Sequence, residues 1–321
     1  MNIQWYPGHM TKAKRAMKED MKLIDLVIEL VDARVPLASR NPDLDELGRG
    51  KSRIVLLNKG DLADERLNEA WTRYFQEKGF FVLKVNARSG SGLKQLNGVV
   101  QEACREKLQR DRKRGILNRP VRAMVVGIPN VGKSTFINSF TGKACTKTGN
   151  KPGVTKGNQW IRLNKSLELL DTPGILWPKF EDQRVGLLLA FIGSINDEIL
   201  HKEELAMELI RFLMEYYPGV LEKRYQIDVR EEPAAGNETG AGMTAGNEPE
   251  DSNGHGSDQS PTVKKAKVQA ASVLTQIAQA RGCLMKGKET DTAKAAGILL
   301  DDFRSGRLGR ITLEFPEADI P

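Results

Sequence analysis

The chain has 321 residues and a mass of 35.7 kDa, and 40 % of its residues are apolar. This length and composition suit a globular protein of about two domains, each with its own hydrophobic core. The formal net charge is +7, but residues 231–262 carry seven acidic residues and no Lys or Arg, so the rest of the chain carries +14. A folded part this basic favours a polyanionic partner.

Composition also disfavours membrane and secreted classes. The longest apolar stretch, residues 185–193, is too short to span a bilayer, and the first residues have no secretory hydrophobic region. Cys104, Cys145 and Cys283 lie far apart and show neither a disulfide framework nor metal-ligand spacing. We therefore predict a cytoplasmic monomer with no membrane partner and no DNA partner.

Taken in chain order, the predicted elements begin with a basic arm over residues 1–22, in which Trp5 and Tyr6 precede a helix-like basic run. Five short apolar segments follow, separated by helical stretches: residues 24–32, 53–57, 80–85, 121–126 and 167–170. Near-continuous apolar strands that alternate with helices are typical of a mostly parallel sheet covered on both faces. We predict an α/β, doubly wound domain over residues 23–198.

The strand pattern stops after residue 198, and a helical period replaces it. Helices are predicted over residues 203–217, 263–281 and 290–304. Residues 229–262 are rich in Gly, Glu, Asn and Ser and have little to bury, which predicts a disordered acidic insertion. The sequence thus indicates a small, basic, all-α C-terminal domain over residues 199–321 that contains this insertion.

A phosphate-binding loop is the sharpest signal in the sequence. Residues 127–134, Gly-Ile-Pro-Asn-Val-Gly-Lys-Ser, fit the pattern G-x-x-x-x-G-K-[ST] between a strand and a helix. Its glycines allow backbone N–H groups to wrap phosphates, Lys133 reaches the β and γ oxygens, and the Ser134 hydroxyl binds Mg²⁺. The predicted nucleotide ligands here are Asn130, Val131, Gly132, Lys133, Ser134 and Thr135.

A second motif identifies the base. Residues 58–61 read Asn-Lys-Gly-Asp after a buried-type strand, which is the N-K-x-D pattern of guanine-specific proteins. The Asp61 carboxylate can accept hydrogen bonds from N1–H and the 2-amino group of guanine, a donor pair that adenine lacks. Asn58, Lys59, Gly60 and Asp61 are therefore predicted to bind GTP or GDP. A P-loop ATPase or kinase would leave this motif unexplained.

Three weaker matches complete the predicted nucleotide site. Asp171 begins a D-x-x-G element that ends at Gly174. Asp171 is expected to hold Mg²⁺, and the Gly174 N–H to contact the γ-phosphate. Asn86 and Ala87 follow a strand where GTPases place a short loop against guanine O6. Thr155 lies between the P-loop and Asp171 and is the candidate switch threonine that completes the Mg²⁺ shell.

The order of these motifs differs from that in Ras-like proteins, where the P-loop comes first and N-K-x-D near the end. Here N-K-x-D precedes the P-loop, so the order of the motifs is a circular permutation of the Ras-like order. A doubly wound domain tolerates this because its ends lie close together, and residues 115–120 have the composition of a joining segment. The chain after residue 174 then leads into the C-terminal domain, so a γ-phosphate signal could reposition that domain.

The sequence resembles the circularly permuted GTPases and, within them, the ribosome biogenesis GTPase A family. Besides the permuted motifs, the resemblance rests on residues 5–10, 32–36, 39–42, 171–178 and 281–284, and it covers nearly the whole chain. It implies a GTP-hydrolysing factor for late maturation of the bacterial large (50S) ribosomal subunit. Such a factor binds rRNA, meets ribosomal proteins and is released on hydrolysis. The acidic stretch 231–262 is longer than is usual in the family.

The resemblance leaves one catalytic function unassigned. Ras-type proteins orient the attacking water with a glutamine where this chain has Ile175, so we expect slow intrinsic hydrolysis that the ribosomal subunit stimulates. Asn130 stands where related GTPases help to hold a monovalent cation, which adds K⁺ to the candidate cofactors. His9 is either swung toward the γ-phosphate or an RNA-contacting histidine. The predicted catalytic residues are His9, Asn130, Lys133 and Thr155.

RNA contacts are expected from basic residues at both ends of the chain. They are Lys12, Lys14, Arg15, Lys18 and Lys22 in the arm, and Lys264, Lys265, Lys267, Arg281, Lys286, Lys288, Arg304, Arg307 and Arg310 in the C-terminal helices. One alternative is an RNA-binding scaffold that uses GTP only as a conformational ligand, which Ile175 favours. Another is a different GTPase role, but tRNA-modifying GTPases have an unpermuted domain, and no lipidation signal supports a membrane role.

Overall fold

The computed structural model describes residues 10–116, 119–146, 159–163, 165–174, 182–195, 201–229, 261–285 and 287–317. Its strands are β1 (Leu26–Asp32), β2 (Ser52–Asn58), β3 (Phe81–Lys84), β4 (Val121–Val126), β5 (Gln159–Arg162) and β6 (Leu167–Asp171). Its helices are α1 (Met10–Met21), α2 (Asp43–Leu47), α3 (Glu65–Glu77), α4 (Leu93–Ala103), α5 (Arg105–Lys113), α6 (Lys133–Thr141), α7 (Gln183–Phe191), α8 (Lys202–Tyr216), α9 (Val220–Tyr225), α10 (Pro261–Ala280) and α11 (Thr292–Arg304).

The six strands form one sheet in the order β3-β2-β1-β4-β6-β5. All neighbours are parallel except β5, which is antiparallel to β6. Every residue of β1 is buried, as expected for a central strand covered on both faces. The predicted α/β fold with a mostly parallel, doubly wound sheet is confirmed, together with a helical C-terminal region.

The strand order reverses between β1 and β4. From β1 the chain proceeds outward through β2 to β3, and then returns to β4 on the other side of β1. In open α/β sheets, ligands bind beyond the carboxyl ends of the strands at such a reversal, because the loops there diverge and leave a crevice. The fold therefore points to the loops after β1, β2, β4 and β6.

Helix α3 packs a large aromatic core onto one half of the sheet. The carboxylate of its N-cap residue, Asp64, accepts hydrogen bonds from the backbone N–H groups of Arg66 and Leu67. Trp71 and Phe75 are fully buried. They belong to a cluster formed by Val31, Ala33, Val55, Leu57, Ala63, Leu67, Trp71 and Phe75.

The chain forms two compact units. The first comprises Met1–Leu205 and Leu300–Pro321, and the second comprises Ala206–Leu299. Within the second unit, Gln269 on α10 donates to the carbonyl of Val229, 3.2 Å away, and the guanidinium of Arg281 lies over the ring of Tyr225. Among the described residues, no helix is long and apolar enough to cross a membrane.

The end of the chain differs from its predicted place in a C-terminal domain over residues 199–321. Residues 300–317 belong to the first unit instead. Ile311 N donates to Leu62 O at 3.0 Å, and Leu313 N donates to Arg34 O at 2.7 Å. Both side chains are buried. Helical periodicity locates a helix such as α11, but it does not reveal that the segment after it packs on α3 and the loop after β1.

The sequence also missed two short elements, β5 and α9. Strand β5 has four residues, of which Gln159, Trp160 and Arg162 are exposed, so it lacks the continuous apolar pattern of the other strands. Helix α9 has six residues, fewer than a periodic pattern needs to be recognised. Most of the predicted acidic insertion, residues 230–260, lies outside the described residues.

Candidate functional site

The predicted nucleotide motifs lie at the carboxyl ends of nearby strands. The P-loop, residues 127–134, follows β4, Asn58 ends β2 and Asp171 ends β6. These strands are parallel, and only β1 stands between β2 and β4. The motifs therefore converge at the edge where the strand order reverses.

Backbone geometry explains the glycines of the P-loop. Gly132 has a φ of 96°, and a Cβ there would lie 2.5 Å from Asn58 Nδ2. A Cβ on Gly127 would lie 2.9 Å from Leu30 O. Helix α6 begins at Lys133, so the N-terminus of a helix follows the loop directly. A tight turn that leads into a helix N-terminus is suited to hold phosphates.

Lys133 and Asp171 bring the predicted phosphate-binding and metal-binding groups together. Lys133 Nζ lies 3.2 Å from Asp171 Oδ1 and also donates to the carbonyl of Thr172. Burial lowers the pKa of the Lys133 ammonium, against the effect of Asp171. Burial likewise raises the pKa of the Asp171 carboxyl, against the effect of Lys133. Both side chains are buried, so these charges are removed from water and interact strongly with each other.

The side chain of Asn58 joins three loops. Its Nδ2 donates to Val131 O in the P-loop at 2.8 Å. Its Oδ1 accepts from the backbone N–H of Ala87 at 2.9 Å. The Ala87 carbonyl in turn accepts from Ser139 Oγ on α6 at 2.5 Å. One buried amide therefore connects the N-K-x-D loop, the loop after β3 and the P-loop.

Lys59 also contacts the P-loop, through a pair of bonds that the sequence did not suggest. Its Nζ donates to Asn130 O at 2.9 Å and to Asp32 Oδ2 at 2.8 Å. Asp32 is buried at the end of β1 and forms a two-pronged ion pair with Arg34, at 2.9 and 2.8 Å. Burial would raise the pKa of Asp32, but the charges of Arg34 and Lys59 outweigh burial and hold that pKa well below its usual range.

The remaining residues of the predicted base site lie in the loops after β2 and β3. Gly60 has little space beside it, because a Cβ there would lie 2.8 Å from Lys84 Cγ. Asp61 is exposed. The side chain of Asn86 accepts from the N–H groups of Arg88 and Ser89 at 2.9 and 3.0 Å, so it shapes its own turn. A contact of this loop with guanine O6 stays a prediction.

The predicted γ-phosphate sensor packs against the P-loop. A Cβ on Gly174 would lie 3.0 Å from both N and Cα of Pro129, so any side chain there would crowd the backbone of the P-loop. Ser134 and Thr135 are half-buried in the first turn of α6. Gly174 and the start of α6 thus both border the loop that would hold the phosphates.

Several predicted residues lie outside the described part of the chain. These are His9, Thr155, Ile175 and Lys286, together with the side chains of Lys12, Lys14, Lys264 and Lys265. Arg304 is described, and it differs from its predicted role as an RNA contact. Its guanidinium donates to the carbonyls of Ala190 and Phe191 at the end of α7.

Residues on the far side of the P-loop were missed by sequence reasoning. Ser194 Oγ donates to Pro129 O at 2.8 Å, and Asn130 Nδ2 donates to Gly193 O at 2.6 Å. These contacts join residues more than 60 positions apart and carry no local sequence signal. Asp32 offered a signal, because a charged residue that ends a buried strand requires a partner.

The chain is similar to known proteins over nearly its whole length. A family described as 50S ribosome-binding GTPase matches residues 122–228, which include the P-loop and Asp171. Ribosome biogenesis GTPase A of Bacillus cereus is 45 % identical over 317 residues, which cover 99 % of this chain and 95 % of that protein. Ribosome biogenesis GTPase A of Priestia megaterium is 44 % identical over 323 residues, which cover 100 % of both.

A solved structure is similar over nearly the same extent. GNP-bound YlqF from T. maritima has a TM-score of 0.59 and 26 % sequence identity, and the match covers 96 % of this chain and 100 % of that chain. The likeness therefore extends well beyond the region that the family description matches, and it includes the N-K-x-D loop that precedes β4.

Proposed function

Because the chain belongs to the ribosome biogenesis GTPase A family, we propose that it serves late maturation of the large ribosomal subunit. It binds guanine nucleotides and hydrolyses GTP in ribosome biogenesis. In the proposed cycle it binds the immature large subunit with GTP, contacts rRNA and leaves after hydrolysis. The observation that carries the proposal is the joining of the permuted motifs at one edge of the sheet through Asn58.

Guanine specificity is assigned to the loop after β2. Asn58 holds this loop against the P-loop, and the exposed Asp61 carboxylate lies three residues further along the chain. Guanine offers Asp61 two donors, N1–H and the 2-amino group, and adenine lacks this pair, which is why Asp61 would favour guanine over adenine. Asn86 and Ala87 are proposed to border the same base.

Mg²⁺ fits the acidic side of the site. In the described structure Asp171 Oδ2 is buried and has no hydrogen-bond partner, which is costly unless a ligand supplies one. We assign Asp171, Ser134 and Thr155 as the residues that hold the ion directly or through water. When bound, the ion neutralises charge that develops on the β- and γ-phosphates. Lys133 then binds the phosphate oxygens, and Gly174 donates its N–H to the γ-phosphate.

The attacking water needs a partner other than Ile175, whose aliphatic side chain cannot orient it. We assign this role to His9, acting when the protein is bound to the subunit. A monovalent cation such as K⁺ near Asn130 would add positive charge beside the β- and γ-phosphates. If His9 acts only on the subunit, hydrolysis is expected to be slow in the isolated protein and fast on the subunit.

Charge supports an rRNA partner. The chain outside residues 231–262 carries +14. Contacts of Lys and Arg with phosphates give binding that depends on salt and reads mainly the shape of a structured RNA. An RNA-binding scaffold that uses GTP only as a conformational ligand is a second candidate, and Ile175 is the observation that favours it.

The test is GTP turnover by the purified protein with and without large ribosomal subunits, in potassium buffer and again in sodium buffer. We expect slow turnover alone and a rise of about tenfold or more with subunits and potassium, as for a site completed by its partner. No rise in either buffer, despite binding of GTP and subunits, would support the scaffold and refute the proposed cycle.

Histidine variants then test the assignment of His9. His9→Ala should abolish the stimulated turnover while subunit binding persists. His201→Ala is the matched control, because His201 is exposed and precedes α8, and it should behave as the unmodified protein. Stimulated turnover that survives His9→Ala would show that His9 contacts RNA or the protein surface instead.

A further inference from the structure

The P-loop has an unusual backbone conformation at Asn130. Its φ is 60°, in the left-handed region, which Asn adopts more readily than most residues other than glycine, and the contacts of its side chain fix it there. Asn130 Nδ2 donates to Gly193 O at 2.6 Å, and the adjacent Pro129 carbonyl accepts from Ser194 Oγ at 2.8 Å. The conformation of the P-loop therefore depends on where residues 193 and 194 lie.

Residues 193 and 194 follow α7, and Arg304 holds the end of that helix. Arg304 Nη2 lies 2.8 Å from Ala190 O, and Nε lies 2.9 Å from Phe191 O. The last carbonyls of a helix lack intrahelical partners, and a cation there is favourable. A Cβ on Gly193 would lie 3.3 Å from Arg304 Nε, so the guanidinium fits closely against this turn.

A second path leads from Arg304 back to the P-loop. Arg34 Nη1 donates to the carbonyls of Arg304 and Phe303 at 3.3 and 3.5 Å, and its guanidinium lies 5.1 Å from the ring centroid of Phe303. Arg34 is paired with Asp32, which accepts from Lys59 Nζ, and the same Nζ donates to Asn130 O. The end of α11 is therefore connected to the P-loop from two sides.

We propose that Arg304 is a positioning residue for the nucleotide site. It fixes the turn after α7 so that Gly193 and Ser194 hold Asn130 and Pro129 in the conformation that binds phosphates. The inference deepens the GTP function and rests on it. By thermodynamic linkage, a nucleotide that stabilises the P-loop also stabilises the segment after α11, and the reverse holds equally.

Release of a fluorescent GDP analogue from the full-length protein tests the first half of the proposal. Arg304→Ala should release the analogue about tenfold faster, within the usual range of coupling between sites. Arg304→Lys should be intermediate, because one ammonium cannot reproduce the fork that spans two carbonyls. Arg310→Ala is the control, since Arg310 is exposed and its ion pair with Glu65, at 3.3 Å, lies outside this network.

Amide hydrogen exchange distinguishes positioning from a merely structural role. Ile311 N and Leu313 N donate to Leu62 O and Arg34 O, so their exchange reports on the segment after α11. Adding GDP should slow this exchange in the unmodified protein and in Arg310→Ala, and clearly less in Arg304→Ala, where only the path through Arg34 remains. Equal slowing in all three proteins would overturn the proposal.

A second variant keeps the proposal testable if Arg304→Ala does not fold. Ser194→Ala removes the hydroxyl bond to Pro129 O and leaves Arg304 unchanged, and it should also speed GDP release. The double variant then measures the coupling. If Arg304 acts through this turn, the fold-increase of the double variant in the rate of GDP release should be smaller than the product of the fold-increases for Ser194→Ala and Arg304→Lys. Full multiplication of the two effects would refute the coupling.

These experiments distinguish failure of the GTP function from failure of the positioning role. If the unmodified protein bound neither GDP nor GTP, the GTP function itself would be wrong. If the unmodified protein binds GDP and Arg304→Ala releases it at an unchanged rate, only the positioning role is refuted.

Discussion

Single residues define the nucleotide loop by leaving no room for a Cβ, and Gly132 is the sharpest case. Gly132→Ala would place a methyl group 2.5 Å from Asn58 Nδ2 at a residue with φ 96°. Because Asn58 joins three loops, we expect nucleotide affinity to fall about tenfold or more and the free energy of unfolding to drop by about 1–3 kcal/mol. Nucleotide titration and denaturant unfolding measure the two effects.

Gly142→Ala is the control that distinguishes the contact with Asn58 from backbone strain. Gly142 also has a positive φ, 67°, but a Cβ there would meet nothing within 4 Å. This variant should therefore lose some stability and keep its nucleotide affinity. If both variants lost affinity to the same extent, contact with Asn58 would not be what requires glycine at residue 132.

The positions of the nucleotide motifs could be predicted from the sequence, because each motif encodes its own local geometry. The glycines of the P-loop and Lys133 lie where their spacing predicted, between β4 and α6, because strand, turn and helix follow one another in the chain. The contacts of Asn130 with Gly193 and of Arg34 with Phe303 were not predictable. They depend on packing between distant segments, which a single sequence does not encode in a local pattern.

Among the elements, the segment after α11 makes an unexpected contact with the loop after β1. The carboxylate of Glu314 accepts from Leu37 N at 2.8 Å and from Ala38 N at 3.0 Å. Burial raises the pKa of Glu314 to about 7, although these two backbone donors and the charge of Arg184 oppose the shift. The contact between segment and loop is therefore expected to respond to pH.

The sign of the response follows from the direction of the shift. The folded protein holds the Glu314 proton more tightly than the unfolded chain does, so this group adds stability below about pH 4.5 and loses it as pH rises through 7. We expect the free energy of unfolding of the unmodified protein, relative to Glu314→Gln, to fall by up to about 3 kcal/mol between pH 5 and pH 8. Urea unfolding of both proteins at both pH values measures it.

Glu317→Gln is the control for this experiment, because Glu317 is exposed and lies three residues along the same segment. Its stability relative to the unmodified protein should be the same at pH 5 and pH 8. A constant difference for Glu314→Gln as well would show that the carboxyl of Glu314 titrates near its ordinary value.

The sheet was predictable at the scale of elements, whereas two peripheral parts were not. Five strands carry continuous apolar runs because both faces are covered, so the sequence locates them. Strand β5 lies at the edge with three exposed residues and lacks this pattern. Residues 311–313 form part of no helix or strand, and their apolar character alone does not indicate that they cover α3.

Across the whole molecule, positive charge outside residues 231–262 is the feature that bears on a partner. The seven acidic residues of that stretch oppose the +14 of the remainder. Each phosphate contact made by Lys or Arg releases bound cations from the RNA, so affinity should fall as salt rises. The logarithm of the affinity for large subunits should decrease linearly with the logarithm of the KCl concentration.

Replacing the seven acids with Asn and Gln provides the matched comparison. At low salt this variant should bind subunits more tightly than the unmodified protein, since a source of repulsion is removed, while its affinity for GDP stays the same. Affinity for subunits that does not change with salt would contradict binding through phosphates. Measurement by sedimentation at several KCl concentrations distinguishes the two outcomes.

The division of the chain between the two units also constrains the order in which the protein can be completed. The first unit begins near the start of the chain, yet Arg304 and residues 311–314, which hold α7, Arg34 and Trp71, come after the whole of the second unit. The first unit therefore cannot complete its folding as its own residues leave the ribosome, whereas a domain that is contiguous in sequence can. The last contacts of the first unit can form only after residues 206–299 have left the ribosome, so we expect full nucleotide binding only from the nearly finished chain.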